Sequence, residues 1–175
     1  MIVIFPQCTE LPLIEQVRAY FDPLAAHVPV HITLVFPFRS TLSTADLSHH
    51  MEQGLANIQP FQVVLGEVTG HTDEYLFLNV KQGNDTLITL HNHLYSGLLE
   101  PYYAPQFTYT PHLTVGRIAD RAVLRTALMQ ARAMLPHRLK IVVDRVNVYW
   151  VEANGNRSIE MEVHLQASVR EEERR

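Results

Sequence analysis

Apolar and polar positions along this chain alternate between strand-like and helix-like periods, and proline punctuates most of the changes. Residues 1–5 form an apolar run closed by Pro6, the pattern of a buried strand. Pro12 suits a first helical turn. Leu13, Ile14, Val17, Tyr20, Phe21 and Leu24 then recur at helical spacing to near Pro23, predicting a first helix. Residues 31–36, HITLVF, lie between Pro29 and Pro37 and are rich in β-branched and apolar side chains, which predicts a short strand. Ser43 reads as the N-cap of a second helix with Leu47, Met51, Leu55 and Ile58 on one face, stopped by Pro60. Residues 61–68 and 75–80 then predict two strands around a polar turn containing Gly70 and Asp73.

The second half repeats this order with mostly different residues. Asn84 is expected to cap a helix carrying Leu87, Ile88, Leu94 and Leu98, and Pro101 and Pro105 break the chain after it. Pro111 precedes HLTV, residues 112–115, a second short strand. Asp120 is expected to cap a helix with Val123, Leu124, Ala127, Leu128, Ala131 and Leu135 facing inward, stopped by Pro136. Residues 140–151 and 157–165 flank ANGN, where Asn154 and Gly155 supply the positive φ of a tight hairpin. Each half thus reads helix, short strand with His-x-Thr, helix, hairpin. The expected organisation is one bilobal domain of two pseudo-repeats, about 1–81 and 82–168, followed by a charged tail over 169–175. Similar half-domains tend to pack about an approximate two-fold axis, which sets the two His-x-Thr strands facing each other across a groove.

Side chains alternate between the faces of a strand, so His31 shares a face with Thr33, and His112 with Thr114. Ile32, Leu34, Leu113 and Val115 turn the other way and anchor each strand. Two imidazoles confronting one another meet the needs of phosphodiester chemistry: one takes a proton and the other, protonated, delivers one to the departing oxygen. The threonine hydroxyls can donate to non-bridging oxygens as charge grows on them. Which histidine is base and which is acid stays open at this level.

At these residues the chain resembles the 2H phosphoesterase superfamily, which includes the bacterial RNA 2′,3′-cyclic phosphodiesterases also called 2′-5′ RNA ligases. His31-Ile-Thr33-Leu34 and His112-Leu-Thr114-Val115 look like its paired motifs, and the likeness spans nearly the whole chain. The resemblance implies an α+β fold, two-lobed, with antiparallel sheets around a central cleft and helices packed outside. It carries His31 and His112 into catalytic roles and Thr33 and Thr114 into phosphate contact, with no metal and no cofactor. Arg117 matches a position where many relatives place a basic residue. Strict alternation would turn it away from His112, and Gly116 could permit a bulge that turns it back. The implied function is hydrolysis of a cyclic phosphate or 2′-5′ linkage of a small nucleotide or RNA end, with 2′-5′ ligation or binding without turnover as alternatives.

Composition narrows the partners. The 175 residues are 47% hydrophobic and 18% charged, which excludes a disordered or coiled-coil chain. A net charge of −4 gives no basic field for long duplex nucleic acid. Cys8 is the one cysteine, so no internal disulfide forms, and no apolar stretch approaches a membrane span. A cytoplasmic monomer is the expectation. His91 and His93 are poorly spaced on a helix to clasp one metal ion. Tyr102, Tyr103, Phe107, Tyr109, Tyr149 and Trp150 are candidates to stack on a base or to pack in the core, and Arg39 is a candidate phosphate contact.

Overall fold

The computed structural model describes residues 1–72, 74–151 and 157–166. Along them run β1 (Ile2–Ile4), α1 (Leu11–Phe21), β2 (Ile32–Val35), α2 (Thr44–Leu55), β3 (Phe61–His71), β4 (Tyr75–Gln82), α3 (Asn84–Leu94), β5 (His112–Arg117), α4 (Arg121–Met134), β6 (Leu139–Val143), β7 (Arg145–Val151) and β8 (Arg157–His164). The strands form two antiparallel sheets, β2-β1-β7-β8 and β5-β4-β3-β6. Helices cover them, so the fold is α+β. Each sheet takes strands from both halves of the chain. β7 pairs onto β1 and β8 onto β7, while β3 lies between β4 and β6.

The helices cross over in the same manner. α1 follows a strand of the first sheet and packs on β5 of the second; α3 follows a strand of the second and packs on β2 of the first. One apolar core results, with Ile2, Ile32, Leu34, Leu65, Leu76, Leu78 and Val115 all at 0% exposure. Burying each such side chain stabilises the fold by about 1.5–3 kcal/mol.

Ser43 and Asp120 cap their helices as expected: Ser43 Oγ accepts from the Asp46 amide at 3.1 Å, and Asp120 Oδ1 from the Ala122 amide at 2.8 Å. The cap of α3 is instead Gly83, at φ 90°, a backbone that glycine adopts without penalty. Asn84 sits one residue inside, its Nδ2 donating to the Val80 carbonyl. Val123, expected to face inward, is exposed. Full burial in α4 is confined to Ala127 and Ala131, whose small side chains let the helix approach β3.

The largest departure falls on residues 140–151, read from the sequence as one strand. They form β6 in one sheet and β7 in the other, with Asp144 at the joint. Its carbonyl accepts from the Leu165 amide at 2.8 Å, and its carboxylate takes hydrogen bonds from Arg145 Nε at 2.9 Å and Nη2 at 3.1 Å. The core positions change phase at the joint, from Leu139, Ile141 and Val143 to Val146 and Val148, and the adjacent charges Asp144 and Arg145 mark the break. The turn residues Asp73, Asn154 and Gly155 and the tail lie outside the described residues. No helix among the described residues is long and apolar enough to cross a membrane.

Candidate functional site

β2 and β5 are edge strands of their respective sheets, and the two edges approach one another where the sheets meet. His31 immediately precedes β2 and His112 opens β5, so this seam brings both His-x-Thr motifs together. Leu113 and Val115 are buried beneath half-buried His112 and Thr114; Ile32 and Leu34 are buried beneath half-buried Thr33. A proton on His31 works against one on His112, as neighbouring like charges do.

The two imidazoles are held in the same way. His31 Nδ1 lies 2.8 Å from the Pro29 carbonyl oxygen, and His112 Nδ1 lies 2.6 Å from that of Thr110. A carbonyl only accepts, so each Nδ1 carries the proton and donates it. Each neutral ring is thereby fixed in the tautomer whose Nε2 has a free lone pair. Burial pushes both histidines below the ordinary imidazole range, and the carbonyl bonds oppose that shift. Smaller effects come from Arg18 and Asp22 at His31, and from His71 and His31 at His112.

Further residues fix the Pro29 carbonyl. On α1, the buried Arg18 guanidinium binds Asp22 Oδ2 at 2.8 Å and donates to the Val28 carbonyl at 2.8 Å. It also binds Glu15, whose Oε1 accepts from the Val30 amide at 3.1 Å. Two acids and one arginine thus hold residues 28–30, on which the His31 ring depends.

The outer edge of β2 is held from the second half of the chain. His91 Nδ1 donates to the Leu34 carbonyl at 2.7 Å, Tyr109 OH donates to the Thr33 carbonyl at 2.9 Å, and the Phe36 amide donates to Tyr95 OH at 2.9 Å. Burial lowers the pKa of His91 and raises those of Tyr95 and Tyr109. Side chains therefore satisfy an edge that would otherwise offer unpaired backbone groups. On the other side of the seam, the Phe77 ring stacks on His112 with centroids 3.6 Å apart and on His71 at 4.8 Å.

Arg117 reaches this face through a bulge. The β4–β5 register pairs Phe77 with Thr114 but Leu76 with Gly116, an extra residue on β5. Val115 and Gly116 are consecutively buried, so His112, Thr114 and Arg117 share the half-buried face. The guanidinium lies 4.9 Å from the centroid of the Tyr75 ring, with Nε 3.8 Å from Glu74 Oε1. That Nε is buried and makes no hydrogen bond.

Arg39 stays on an exposed loop. Tyr95 is buried and Tyr109 half-buried, both bonded to the β2 edge, whereas Tyr149 is buried and Trp150 is 45% exposed. A cavity of about 450 Å³ lies between α2 and α3, away from the seam, and His50 and His93 line it. Each bonds a carbonyl near the end of the opposite helix, His50 Nε2 to Leu94 at 2.8 Å and His93 Nδ1 to Gly54 at 3.2 Å. Among the described residues, no group of three or more His, Cys, Asp or Glu side chains converges as a metal site requires.

Sequence reasoning missed Glu15, Arg18, Asp22 and His91. The acid–arginine–acid spacing on a predicted helix was a readable signal for an ion-paired face. Nothing local marked His91 as a partner for β2.

A pair of edge strands, each presenting His-x-Thr at the seam of two antiparallel sheets, defines a bilobal two-histidine fold. Known structures share the arrangement of its sheets and helices. The chain superposes on the crystal structure of TT0787 of Thermus thermophilus with a TM-score of 0.65 at 15% identity, covering 94% of this chain and 96% of that one. It superposes on E. coli LigT complexed with 3′-AMP with a TM-score of 0.60 at 18% identity, covering 95% and 97%. In sequence it is 27% identical over 158 residues to a Geobacillus thermodenitrificans protein named "Putative phosphoesterase", covering 89% of each. The family model described as 2′-5′ RNA ligase superfamily matches residues 5–155. The chain belongs to that superfamily.

Proposed function

We propose that this protein is a phosphoesterase that opens the cyclic phosphate, or cleaves the 2′-5′ phosphodiester, of a small nucleotide or RNA end, with His31 and His112 as paired acid and base. The observation that carries this reading is the matched pair of Nδ1–carbonyl hydrogen bonds, which leave Nε2 of each ring available on adjoining edge strands. The phosphoesterase name of the relatives and the 3′-AMP, ATP and NADP+ complexes of E. coli LigT support a nucleotide as ligand.

For a 2′,3′-cyclic phosphate, one Nε2 removes a proton from water as its oxygen attacks phosphorus in line. The P–O bond to one ribose oxygen breaks, and the other, protonated imidazole gives that oxygen its proton. The product is a phosphate monoester. Thr33 and Thr114 donate hydrogen bonds to the non-bridging oxygens, and Arg117 offsets their negative charge. Both imidazoles are biased towards neutrality, so the negative charge of the bound phosphate stabilises the protonated member.

The direct test is hydrolysis of 2′,3′-cyclic nucleotides and 2′-5′ dinucleotides by the wild-type protein, His31→Ala and His112→Ala. Monoester formation that falls by roughly 10²–10⁴-fold in each variant is the expected result. Wild-type turnover in either variant, or no product from the wild type, overturns the reading.

A further inference from the structure

Side chains on β4 alternate, with Tyr75, Phe77 and Asn79 half-buried on one face and Leu76, Leu78 and Val80 buried on the other. The cross-strand partners of Phe77 are Thr69 on β3 and Thr114 on β5, so His71 and His112 are its diagonal neighbours, within reach of an aromatic side chain. The three rings form a column. His112 stacks on Phe77 at 3.6 Å and 20°, and His71 stacks on it at 4.8 Å and 21°. Because β3 and β5 flank β4, the two imidazoles cover opposite faces of the phenyl ring.

An imidazole gains from such a hold. Rotation about the outer side-chain torsion of histidine is soft, with broad wells a half-turn apart. The hydrogen bond from Nδ1 to the Thr110 carbonyl fixes one atom of the His112 ring and leaves its plane able to tilt about that bond. A flat ring against one face removes the remaining freedom. His31 is held differently: Phe5 meets it edge-on at 6.4 Å and 75°, a contact that does not set the plane, and the Arg18 cluster fixes the segment beneath it.

We propose that Phe77 is a positioning residue for His112, setting the plane of the imidazole that presents Nε2 to the phosphate ester, and that His71 backs Phe77 from the far side. The inference rests on the phosphoesterase reading for what His112 does there. Without the stack the ring turns about its outer torsion, Nδ1 leaves the Thr110 carbonyl, and the proton settles on either nitrogen. Nε2 is then blocked in part of the molecules. Substrate held by Thr33, Thr114 and Arg117 binds nearly as before, so the loss falls on kcat.

The test compares Phe77→Leu, Phe77→Tyr and His71→Ala with the wild type, each checked for a cooperative thermal transition. Long-range proton–nitrogen NMR spectra, recorded where the imidazoles are neutral, report which nitrogen of His112 carries the proton. The wild type and Phe77→Tyr are expected to keep it on Nδ1, and Phe77→Leu to show an average of the two nitrogens. In hydrolysis of a 2′,3′-cyclic nucleotide, kcat should fall roughly tenfold or more in Phe77→Leu with KM within about twofold of the wild type, while Phe77→Tyr keeps most of it. His71→Ala, at an exposed position, should move both readouts the same way by a smaller step, and it carries the test if Phe77→Leu fails to fold. A proton still fixed on Nδ1 in Phe77→Leu, or a rise in KM with kcat unchanged, overturns the positioning role; so does an unmoved His71→Ala where it stands alone. Averaging in Phe77→Leu beside a wild type that hydrolyses nothing would refute the catalytic reading and leave the positioning standing. Hydrolysis that His112→Ala abolishes and Phe77→Leu leaves at the wild-type rate would do the reverse.

Discussion

The rings of His91 and Tyr109 lie parallel, 7° apart in plane with centroids 3.7 Å apart, and both end on β2, at the Leu34 and Thr33 carbonyls. One residue comes from α3 and the other from the segment before β5. The first His-x-Thr strand is therefore held in place by the half of the chain that carries the second.

Tyr109→Phe keeps the ring stack and deletes the hydroxyl that serves Thr33. The expected destabilisation is about 1–3 kcal/mol, since a part-buried carbonyl loses its partner. In a chain of this size that lowers Tm by several degrees. Differential scanning calorimetry checks it. An unchanged Tm would mean that the edge of β2 finds another partner.

His31, His91 and His112 all have pKa values lowered from 6.5, principally by burial. The unfolded chain then takes up protons near 6.5 that the folded chain refuses, so stability rises with pH through the interval between the lowered values and 6.5. Acidification from about pH 7 to about pH 5 should lower Tm, and His91→Phe should flatten part of that slope. The acid limb of kcat/KM should likewise fall below about pH 6.5 for the free protein. A flat Tm profile over that interval would contradict the burial argument.

Gly116→Ala tests the bulge. A Cβ there would lie 3.0 Å from Leu76 Cδ1 and from Phe21 Cβ, and 3.2 Å from Leu76 Cβ, inside a packed layer. Overpacking of this kind costs about 1–3 kcal/mol. Relief requires β5 to shift, which moves Arg117, so KM for a nucleotide should rise more than kcat falls. Steady-state kinetics at constant temperature separates the two.

Arg18→Met leaves the buried Asp22 carboxylate without its partner, and breaking a buried pair from one side costs about 3–5 kcal/mol. Adding Asp22→Leu should restore much of the stability measured by urea unfolding. Activity should stay low in the double variant, because the Val28 carbonyl and Glu15 no longer hold the segment that orients His31. Full recovery of kcat would remove Arg18 from the positioning of that ring.

Helices α1, α2 and α4 and the two His-x-Thr strands were legible because their apolar spacing and caps are local properties. The bulge at Gly116 was legible for the same reason, since a glycine beside a misdirected arginine is a local conflict. The change of sheet at Asp144 was not: the inward positions pass there from odd to even, a break of phase that a bulge within one strand would equally produce, and only pairing reveals the exchange. The roles of His91 and Arg18 depend on contacts with Leu34 and Val28, and no short window of sequence contains those pairs.

The interleaving of β3 between β4 and β6, and of β1 between β2 and β7, has a topological consequence. If the backbone were severed between β3 and β4, neither fragment would own a finished sheet, and each would display raw edges that only the other could close. Such fragments should stay unstructured apart and recover a joint fold on mixing. Single-fragment expression would then yield aggregates where co-expression yields protein.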